Sequence, residues 1–359
     1  MKVLIAAGGT GGHIYPGIAV AREILRRNPD SEILFVGTAR GIETRIVPDN
    51  GFQLSLINSA GLKNVGLVGK IKGMLILPKS FLEAREILKD FKPDVVVGAG
   101  GYVSGPVLLT ASFMGLPTLV MDSNALPGFT NRRLARFVKK AALTFEEGLP
   151  YFGNKGVVTG NPVRSEFFDV PAKKRGEKTE LLIFGGSQGA VAINNAVIAS
   201  LPFLRDREAA LNIIHQTGEA NFENVKAGYA EADWANADIR PYISDIVVEF
   251  AKADIIICRA GATTCAEIAA AGKAAIMIPL PGAADDHQRK NAEALEKAGA
   301  AKMILQKELD GKRLAAEIEA FIESPSKITE MEQAAKKLAR SDAAQATVDL
   351  IEGLTDLRI

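Results

Sequence analysis

The chain is poor in the residues that mark disulfide-bonded and metal-binding proteins. Its 359 residues include only two cysteines, Cys258 and Cys265, and six residues separate them. That spacing matches no common metal motif, and two thiols cannot form a disulfide scaffold in a chain of this length. We therefore expect a protein of a reducing compartment, without a metal site or a disulfide framework.

Long apolar runs are also lacking. The most apolar window, residues 105–121, is interrupted by glycine, proline and serine, which predicts a buried helix and strand and not a membrane span. The N-terminus has a single lysine and a short apolar run that leads directly into glycines. We therefore expect no secretory signal peptide.

What the chain does contain is ample core material. Hydrophobic residues make up 47% of it and charged residues 24%, which is typical of a soluble globular protein, and its length suits two domains of roughly 150 to 200 residues. The net charge of +1 hides an asymmetry. Residues 1–160 carry 19 Lys and Arg against 12 Asp and Glu, whereas the remainder carries 24 against 30. The basic first half indicates an anionic binding partner there.

Apolar β-type segments alternate with helical patterns along the chain. Because the segments are apolar throughout, they favour parallel sheets covered by helices on both faces. Residues 181–190 repeat the opening strand–glycine–helix unit half a chain later, so we predict two doubly wound α/β domains joined near 160–162. The predicted strands are 3–7, 33–36, 95–97, 118–121, 156–159, 181–184, 211–214, 255–258 and 274–278, and the predicted helices include 80–89, 131–137, 190–201, 262–271 and 291–297.

The opening of the chain carries the most specific pattern. A strand leads into four glycines and Thr10, then into His13 and a helical pattern with Pro16 near the helix start. Backbone N–H groups and the positive end of a helix meet at such a turn, which suits an anionic or oxygen-rich ligand. Ile14 breaks the G-x-G-x-x-G pattern and no Gly-Lys-Ser/Thr follows, so neither common phosphate fingerprint is present. The alternative is a turn that only packs strand against helix, with His13 as a cap.

Further loops with glycines or polar residues lie where predicted strands end. Ligands of open α/β sheets bind at the carboxyl ends of the strands, so this placement indicates binding residues. Each has a structural alternative: Glu267 could be an acid stabilised by its helix dipole, Arg164 a brace for the linker and His215 a buried structural residue. The loops are 98–106, 121–124, 161–164, 258–264 and 279–288.

Five motifs follow one another along nearly the whole chain. They are Gly-Gly-Thr-Gly-Gly-His at 8–13 with Pro16-Gly17, Gly-Gly-Tyr-Val-Ser-Gly-Pro at 100–106, Gly-Asn-Pro-Val-Arg at 160–164, Gly-Gly-Ser-Gln-Gly at 185–189 and Ala-Glu-Ile-Ala-Ala-Ala-Gly at 266–272. This set resembles the family of bacterial glycosyltransferases that make lipid II. Those enzymes add N-acetylglucosamine from its UDP donor to a muramyl peptide linked to undecaprenyl diphosphate.

The resemblance implies the GT-B fold, two Rossmann-like α/β domains facing a cleft. Residues 1–160 would form the acceptor- and membrane-facing domain and 161–342 the UDP-sugar-binding domain, with a final helix over about 343–359 packed back on the first. The family inverts the anomeric carbon without a metal held by an Asp-x-Asp motif, and here the nearest acidic pair is the adjacent Asp285 and Asp286. The expected partners are UDP-N-acetylglucosamine and the lipid-linked acceptor, with no cofactor and no nucleic acid.

The resemblance also implies roles for individual residues. His13 would be the base that takes the proton from the acceptor C4 hydroxyl, since its reference pKa lies near neutrality. Glu267 would accept hydrogen bonds from the two ribose hydroxyls, the backbone of Ile243 would contact uracil, and Gln288 would contact sugar hydroxyls. The other predicted binding residues are Thr10, Gly11, Gly12 and Asn124 in the first half and, around the diphosphate, Arg164, Ser187, Gln188, Gly189, Ala262, Thr263 and Thr264.

One motif departs from the family pattern. Where the family usually shows His-Glu-Gln-Asn, this chain has Met121-Asp-Ser-Asn124. Asn124 is retained, and a sugar contact by its side chain is expected. The shorter side chains of Asp122 and Ser123 argue against any role that requires the longer ones.

Residues 61–80 predict where the protein meets a membrane. Lysines alternate there with apolar residues and no acid interrupts them, which is typical of a basic amphipathic surface on anionic lipid. We expect peripheral binding to the cytoplasmic face of the cell (inner) membrane, and the alternative is a core helix with solvated lysines. The predicted membrane residues are Lys70, Ile71, Lys72, Met74, Leu75 and Lys79.

Two other functions remain open from the sequence. A UDP-sugar 2-epimerase shares the two-domain fold, but such enzymes need further acid and base groups in the cleft. A dinucleotide-using or regulatory protein could also be built on two Rossmann halves, although neither half contains G-x-G-x-x-G.

Overall fold

The computed structural model describes residues 1–39, 41–59, 67–186, 188–235, 237–283 and 286–355, and over 67–76 the backbone alone. The chain divides into two compact units. The first consists of Met1–Arg164 with Arg340–Ile359, and the second of Ser165–Ala339.

Strands and helices alternate in both units. The strands are β1 (Lys2–Ala7), β2 (Glu32–Gly37), β3 (Gln53–Leu56), β4 (Val95–Gly100), β5 (Thr118–Asp122), β6 (Lys140–Leu143), β7 (Gly156–Val158), β8 (Thr179–Phe184), β9 (Leu211–Gln216), β10 (Ala237–Arg240), β11 (Ile255–Cys258), β12 (Ala274–Met277) and β13 (Lys302–Met303). The α-helices are α1 (Gly11–Arg27), α2 (Glu43–Asp49), α3 (Leu67–Phe91), α4 (Ser104–Phe113), α5 (Phe129–Leu134), α6 (Leu149–Phe152), α7 (Val191–Ser200), α8 (Phe222–Glu231), α9 (Ile246–Lys252), α10 (Ala262–Ala271), α11 (His287–Lys297), α12 (Gly311–Ile322), α13 (Pro325–Leu338) and α14 (Ala343–Thr355).

The sheet of the first unit has a switch in its strand order. Within the described residues it is a seven-stranded parallel sheet in the order β3-β2-β1-β4-β5-β6-β7. Strands are added in opposite directions on either side of the β1–β4 pair, so the carboxyl ends of these two strands are the position where such sheets bind ligands. The pairing shifts register after Ala6, and Ala7 pairs with Gly100. The glycine loops that follow the two strands therefore begin side by side.

Side chains of β1 point alternately to two layers of the core. Val3 and Ile5 pack in one buried cluster with residues of α1, whereas Leu4 and Ala6 pack in another with residues of α4. Both faces of the strand are covered, which explains why it is apolar from Val3 to Ala7. The C-terminal helix α14 contributes to the first of these clusters through Val348, Ile351 and Leu354.

Ion pairs also attach α14 to α1. Arg27 on α1 donates to Asp349 Oδ1 and to Glu352 Oε2 on α14, each over 2.7 Å. Arg27 also donates to Glu23 on its own helix. Hydrogen bonds from Arg26 and Arg27 lower the pKa of the buried Glu23 carboxyl to about 2. The last helix is thus part of the first unit.

The second unit repeats the same winding order. Within the described residues its six-stranded parallel sheet has the order β10-β9-β8-β11-β12-β13, so its switch point lies between β8 and β11. Leu181 and Ile183 of β8 and Ile255 and Ile257 of β11 are almost completely buried in the core of this unit.

A buried polar network lies at the end of β9. The Nδ1 atom of His215 lies 3.1 Å from the hydroxyl of Tyr229, and its Nε2 atom lies 3.1 Å from Oδ1 of Asn194. Asn194 also donates to the carbonyl of Thr217 over 3.0 Å. His215 is therefore a structural residue, and its burial lowers its pKa to about 3.

The depressed pKa of His215 predicts acid-induced loss of stability. Between about pH 6.5 and 3 the unfolded state binds a proton at this site that the folded state does not, so the free energy of unfolding falls as pH falls, by at most about 1.4 kcal/mol per pH unit. Urea unfolding between pH 7.5 and 5, followed by the fluorescence of the single tryptophan, Trp234, will measure this slope. Trp234 is buried in the same core as Tyr229.

His215→Gln provides the control for this slope. Glutamine keeps polar atoms at the site but has no titratable group, so we expect a shallower pH dependence in the variant. An identical slope in both proteins would assign the acid sensitivity to other groups.

Most of the predicted elements agree with the structure, and the differences have local causes. Pro16 lies in the second turn of α1, because that helix already begins at Gly11. The window 105–121 falls on α4 and β5, and among the described helices none is long and apolar enough to cross a membrane. The sequence does not predict β3, β6, β10 or β13, which are short and only partly apolar.

Candidate functional site

The second unit contains a cleft at its switch point. It has a volume of about 730 Å³ and lies where β8 and β11 end and where α7 and α10 begin. Its lining residues are Phe184, Gly185, Gly186, Gly189, Ala190, Val191, Ala192, Asn195, Arg259, Gly261, Thr264, Leu280, Gln288 and Gln306.

Two helix N-termini meet this cleft without side-chain caps. The N-cap residues of α7 and α10 are Ala190 and Gly261, and neither side chain can accept a hydrogen bond from the first turn. The N–H groups there and the positive ends of both helix dipoles are the features that bind phosphate groups. The cleft is therefore suited to an anionic ligand such as a diphosphate.

Gly189 shapes the loop between β8 and α7. Its φ is +71°, and a Cβ atom at this position would collide with the carbonyl oxygen of Thr217. The N–H of Gly189 donates to the carbonyl of Gly186 over 2.9 Å, which closes a tight turn. Only glycine fits at this position, which explains why the motif at 185–189 ends in glycine.

Gln216 connects this loop to the loop after β10. Its Nε2 donates to the carbonyl of Gly186, and its Oε1 accepts from the N–H of Ile243, each over 2.9 Å. A uracil contact by the backbone of Ile243 would therefore use its carbonyl oxygen, since the N–H already bonds Gln216. The sequence does not single out Gln216, because its two partners lie far away along the chain.

Arg259 brings a cation to the cleft that the sequence analysis did not select. Its guanidinium donates to the carbonyls of Ile278 and Pro279 and to Oε1 of Gln306. Burial lowers its pKa, but an arginine remains charged near neutrality. The feature that could have indicated Arg259 from the sequence is its position directly after an apolar strand.

The structure brings together several of the predicted donor residues. Gly189, Thr264 and Gln288 line the cleft, and Oε1 of Gln288 accepts from the N–H of Leu280 over 3.0 Å. Glu267 lies on α10 one turn beyond Thr264 and is partly buried. The flanking predicted residues are Gln188, Ala262 and Thr263, and Oγ1 of Thr263 is buried with no hydrogen-bond partner among the described residues. Ser187 lies outside the described residues.

His13 lies at the switch point of the first unit. Its Nδ1 is 3.1 Å from the carbonyl oxygen of Gly8 and 3.4 Å from Oγ1 of Thr10. A carbonyl oxygen can only accept, so Nδ1 carries the proton in the neutral ring and Nε2 carries the lone pair. Thr10 is exposed, and Gly11 and Gly12 form the partly exposed first residues of α1.

The end of β4 packs directly against His13. A Cβ atom on Gly100 would collide with Cδ2 of the imidazole, so glycine is required for this close approach. The buried hydroxyl of Ser104 lies 3.0 Å from the carbonyl of Ala6 and 3.1 Å from the N–H of Gly100. Ser104 thus links the ends of β1 and β4 beneath the histidine.

Asp122 organises the loop after β5. Its carboxylate accepts from the N–H groups of Asn124 and Gly128 and from Nδ2 of Asn131, over 2.9 to 3.0 Å. Burial raises its pKa, while these bonds and the nearby charge of His13 oppose the shift. Asp122, which departs from the family pattern by its shorter side chain, therefore accepts hydrogen bonds from three groups in the loop after β5 and in α5.

The remaining predicted residues of the first unit lie near the loop after β5 or near its C-terminal boundary. Asn124 is partly buried and follows Ser123, whose hydroxyl donates to Oδ1 of Asn161 over 3.1 Å. Nδ2 of Asn161 is buried with no partner among the described atoms. The guanidinium of Arg164 lies 5.9 Å from the ring centre of Tyr15, a cation–π distance.

The predicted membrane segment is described only in part. Residues 61–66 lie outside the described residues, and Lys70, Ile71, Lys72, Met74 and Leu75 lie on α3 in the stretch for which the backbone alone is described. Lys79 is 66% exposed, 3.7 Å from Glu83.

Three exposed apolar side chains of the first unit were not among the residues predicted from the sequence. Leu82 on α3 is 67% exposed and Phe113 at the end of α4 is 74% exposed. The ring of Phe113 packs edge-on against Phe137, with 5.8 Å between ring centres. Phe137 stands between the exposed basic residues Arg136 and Lys139.

Comparison with known proteins matches both units to one enzyme family. The glycosyltransferase family 28 N-terminal domain matches residues 3–143, and the glycosyltransferase family 28 C-terminal domain matches residues 180–347.

Relatives match over nearly the full length. The proteins from Syntrophus aciditrophicus and Geotalea uraniireducens are 47% and 48% identical, with 97% of each chain covered, and both are named UDP-N-acetylglucosamine–N-acetylmuramyl-(pentapeptide) pyrophosphoryl-undecaprenol N-acetylglucosamine transferase. The crystal structure of Acinetobacter baumannii MurG is 34% identical, with a TM-score of 0.79 and 98% and 99% of the two chains covered. These matches confirm the predicted GT-B fold class.

A UDP-GlcNAc 2-epimerase from Neisseria meningitidis has a similar fold, with a TM-score of 0.72 over the whole of both chains. At 16% identity it shares the fold alone. Eight full-length relatives at 44–48% identity carry the transferase name. The chain therefore belongs to glycosyltransferase family 28 and, within it, to the UDP-N-acetylglucosamine–N-acetylmuramyl-(pentapeptide) pyrophosphoryl-undecaprenol N-acetylglucosamine transferases.

Proposed function

We propose that the protein transfers N-acetylglucosamine from UDP-N-acetylglucosamine to the C4 hydroxyl of an N-acetylmuramyl peptide linked to undecaprenyl diphosphate. The observation that carries this proposal is the cleft of the second unit, in which two uncapped helix N-termini meet beside Arg259. That arrangement is chemically suited to a nucleoside diphosphate, and full-length relatives are named for this transfer.

The donor would bind to the second unit through its diphosphate. N–H groups at the starts of α7 and α10 would hold the phosphate oxygens, and Arg259 would add positive potential as charge develops on the leaving diphosphate. Glu267 would accept from the ribose hydroxyls, the carbonyl of Ile243 would accept from uracil, and Gln288 would contact the sugar.

His13 would act as the general base on the acceptor. Because Nδ1 faces the carbonyl of Gly8, the lone pair of the neutral ring is on Nε2. The acceptor oxygen attacks the anomeric carbon while its proton passes to Nε2, and the bond from that carbon to the diphosphate oxygen breaks, releasing UDP. A single displacement of this kind inverts the anomeric configuration. Arg164, Thr10, Gly11, Gly12 and Asn124 would contribute contacts to the bound substrates.

Transfer of labelled sugar tests the proposal directly. The purified protein is incubated with labelled UDP-N-acetylglucosamine and a lipid I analogue, and the expected product is the labelled disaccharide lipid together with UDP. The matched reaction without acceptor tests the epimerase alternative, because an epimerase would convert UDP-N-acetylglucosamine into its manno epimer. Epimer without transfer would refute the proposed function.

We also propose that the first unit binds peripherally to the cytoplasmic leaflet of the cell membrane. Support comes from the basic segment 61–80 and from the exposed apolar side chains of Leu82, Phe113 and Phe137. Each lysine near an anionic surface adds about 1 kcal/mol of attraction, and salt screens that attraction.

Co-sedimentation with anionic vesicles tests membrane binding. Changing Lys70, Lys72 and Lys79 together to glutamate is expected to release the protein into the supernatant while UDP binding persists. The matched control changes three exposed lysines of the second unit to glutamate, Lys312, Lys327 and Lys337, and should leave sedimentation unchanged. Equal sedimentation of the wild type and both variants would show that Lys70, Lys72 and Lys79 are ordinary solvated lysines and do not bind the membrane.

A further inference from the structure

We propose that Glu43 is a positioning residue for His13 and acts through the peptide group between Gly8 and Gly9. The inference rests on the proposed function, in which His13 is the base. It concerns a buried carboxylate that touches neither the donor cleft nor the exposed face of the glycine loop.

Glu43 is the first residue of α2, and its side chain is fully buried. Its Oε2 accepts from the N–H of Gly9 over 3.0 Å. Its Oε1 accepts from both the N–H and the hydroxyl of Thr38, each over 2.9 Å. A buried carboxylate is costly unless its oxygens accept hydrogen bonds. These three bonds fix it between the end of β2 and the loop after β1.

The surrounding sequence leaves room for this carboxylate. A Cβ atom on Gly8 would lie 2.8 Å from Oε1 of Glu43, and one on Gly41 would overlap the carboxylate itself. Two glycines from separate loops are thus needed for the carboxylate to reach the Gly9 N–H. Part of the glycine-rich character of the opening loop therefore serves contact with Glu43.

The contact with Gly9 is transmitted to His13 through a single planar group. The N–H of Gly9 and the carbonyl of Gly8 belong to the same peptide unit, whose atoms are held in one plane by resonance. Glu43 binds the N–H end, and Nδ1 of His13 lies 3.1 Å from the carbonyl end. A negative charge at the N–H polarises the unit and strengthens the carbonyl as an acceptor.

This arrangement has two consequences for a general base. It holds the proton of the neutral imidazole on Nδ1, which places the lone pair on Nε2. It also stabilises the imidazolium that forms when Nε2 takes the acceptor proton, because the Nδ1–H donor becomes cationic and faces a strengthened carbonyl. Glu43 therefore performs, through a peptide group, the orienting task that a carboxylate performs directly in other histidine-based sites.

Glu43→Gln tests the proposal, because glutamine has the same shape but no charge and turns an amide donor toward Gly9 or Thr38. We expect kcat to fall about 10- to 100-fold, less than the 10²–10⁴-fold loss of the base itself, with the KM for UDP-N-acetylglucosamine unchanged. The matched control is Glu23→Gln, a second buried carboxylate of the same unit that pairs with Arg26 and Arg27. It should retain wild-type kcat.

A double-variant comparison separates positioning from general stability. If Glu43 acts through His13, adding Glu43→Gln to His13→Ala should cause no further loss of kcat, since the group being positioned is gone. Independent multiplication of the two losses, or an equal loss in Glu23→Gln, would overturn the proposal.

Heteronuclear NMR of the histidine ring nitrogens tests the proposal without requiring activity. The chain has only three histidines, so the His13 signals can be assigned by loss in His13→Ala. The expected wild-type ring is protonated on Nδ1, and Glu43→Gln should shift the population toward the Nε2-protonated tautomer. An Nε2-protonated wild-type ring, or a tautomer that Glu43→Gln leaves unchanged, would refute the role of Glu43. Absence of sugar transfer by the wild-type protein would instead refute the proposed function.

Discussion

His13→Ala is expected to reduce turnover by about 10²–10⁴-fold, the usual contribution of a general base. The physical reason is that the acceptor hydroxyl must lose its proton as it attacks, and the variant lacks the imidazole that takes this proton. Steady-state transfer of labelled sugar at saturating donor and acceptor measures the effect.

The same variant supplies its own control, because most of the predicted donor residues lie in the second unit. Affinity for UDP-N-acetylglucosamine should therefore remain close to that of the wild type, as measured by calorimetry. Turnover near the wild-type value would show that His13 only stabilises the glycine loop and is not the base. A large loss of donor affinity would make it a binding residue instead.

Glu267→Ala is expected to weaken UDP binding roughly ten- to a hundredfold. The variant lacks the carboxylate and therefore loses the hydrogen bonds from both ribose hydroxyls. A hydrogen bond to a charged group contributes about 1.5–3 kcal/mol. Calorimetric titration with UDP measures the change directly.

Glu317→Ala is the matched control for this experiment. Glu317 is a partly buried glutamate on α12 that pairs with Arg313, so the variant removes a similar side chain from the same unit. UDP affinity should be unchanged in it. If Glu267→Ala also binds UDP normally, the ribose assignment is wrong and another residue must contact the sugar of the nucleoside.

Local patterns in the sequence were sufficient for the framework of the fold. Strand β11 and residues 3–7 of β1 are buried on both faces, so each of these residues must be apolar, and this continuous pattern is visible without a structure. The strand β6 has only four residues, one of them a lysine, and β10 carries Asp238 and Arg240, so neither leaves such a pattern. Their existence depends on pairing with a neighbour that is remote in the chain.

The candidate site likewise contains residues that the sequence could predict and residues that it could not. Glycine loops and His13 could be selected from the sequence because each follows directly from a strand and precedes a helix. The residues that support them could not, because their partners lie far along the chain: Glu43 bonds Gly9 across 34 positions, and Gln216 bonds Gly186 across 30.

The sequence by itself determined the two doubly wound α/β units, the positions of their glycine loops and the resemblance to a glycosyltransferase family. Those features are written in hydrophobic periodicity and in short contiguous motifs. Only the tertiary structure decided that Arg27 of α1 pairs with acidic residues of α14, that Arg259 lines the donor cleft and that a buried carboxylate faces the peptide behind His13. These contacts depend on how distant segments meet around the parallel sheets, and no local pattern of residues encodes that.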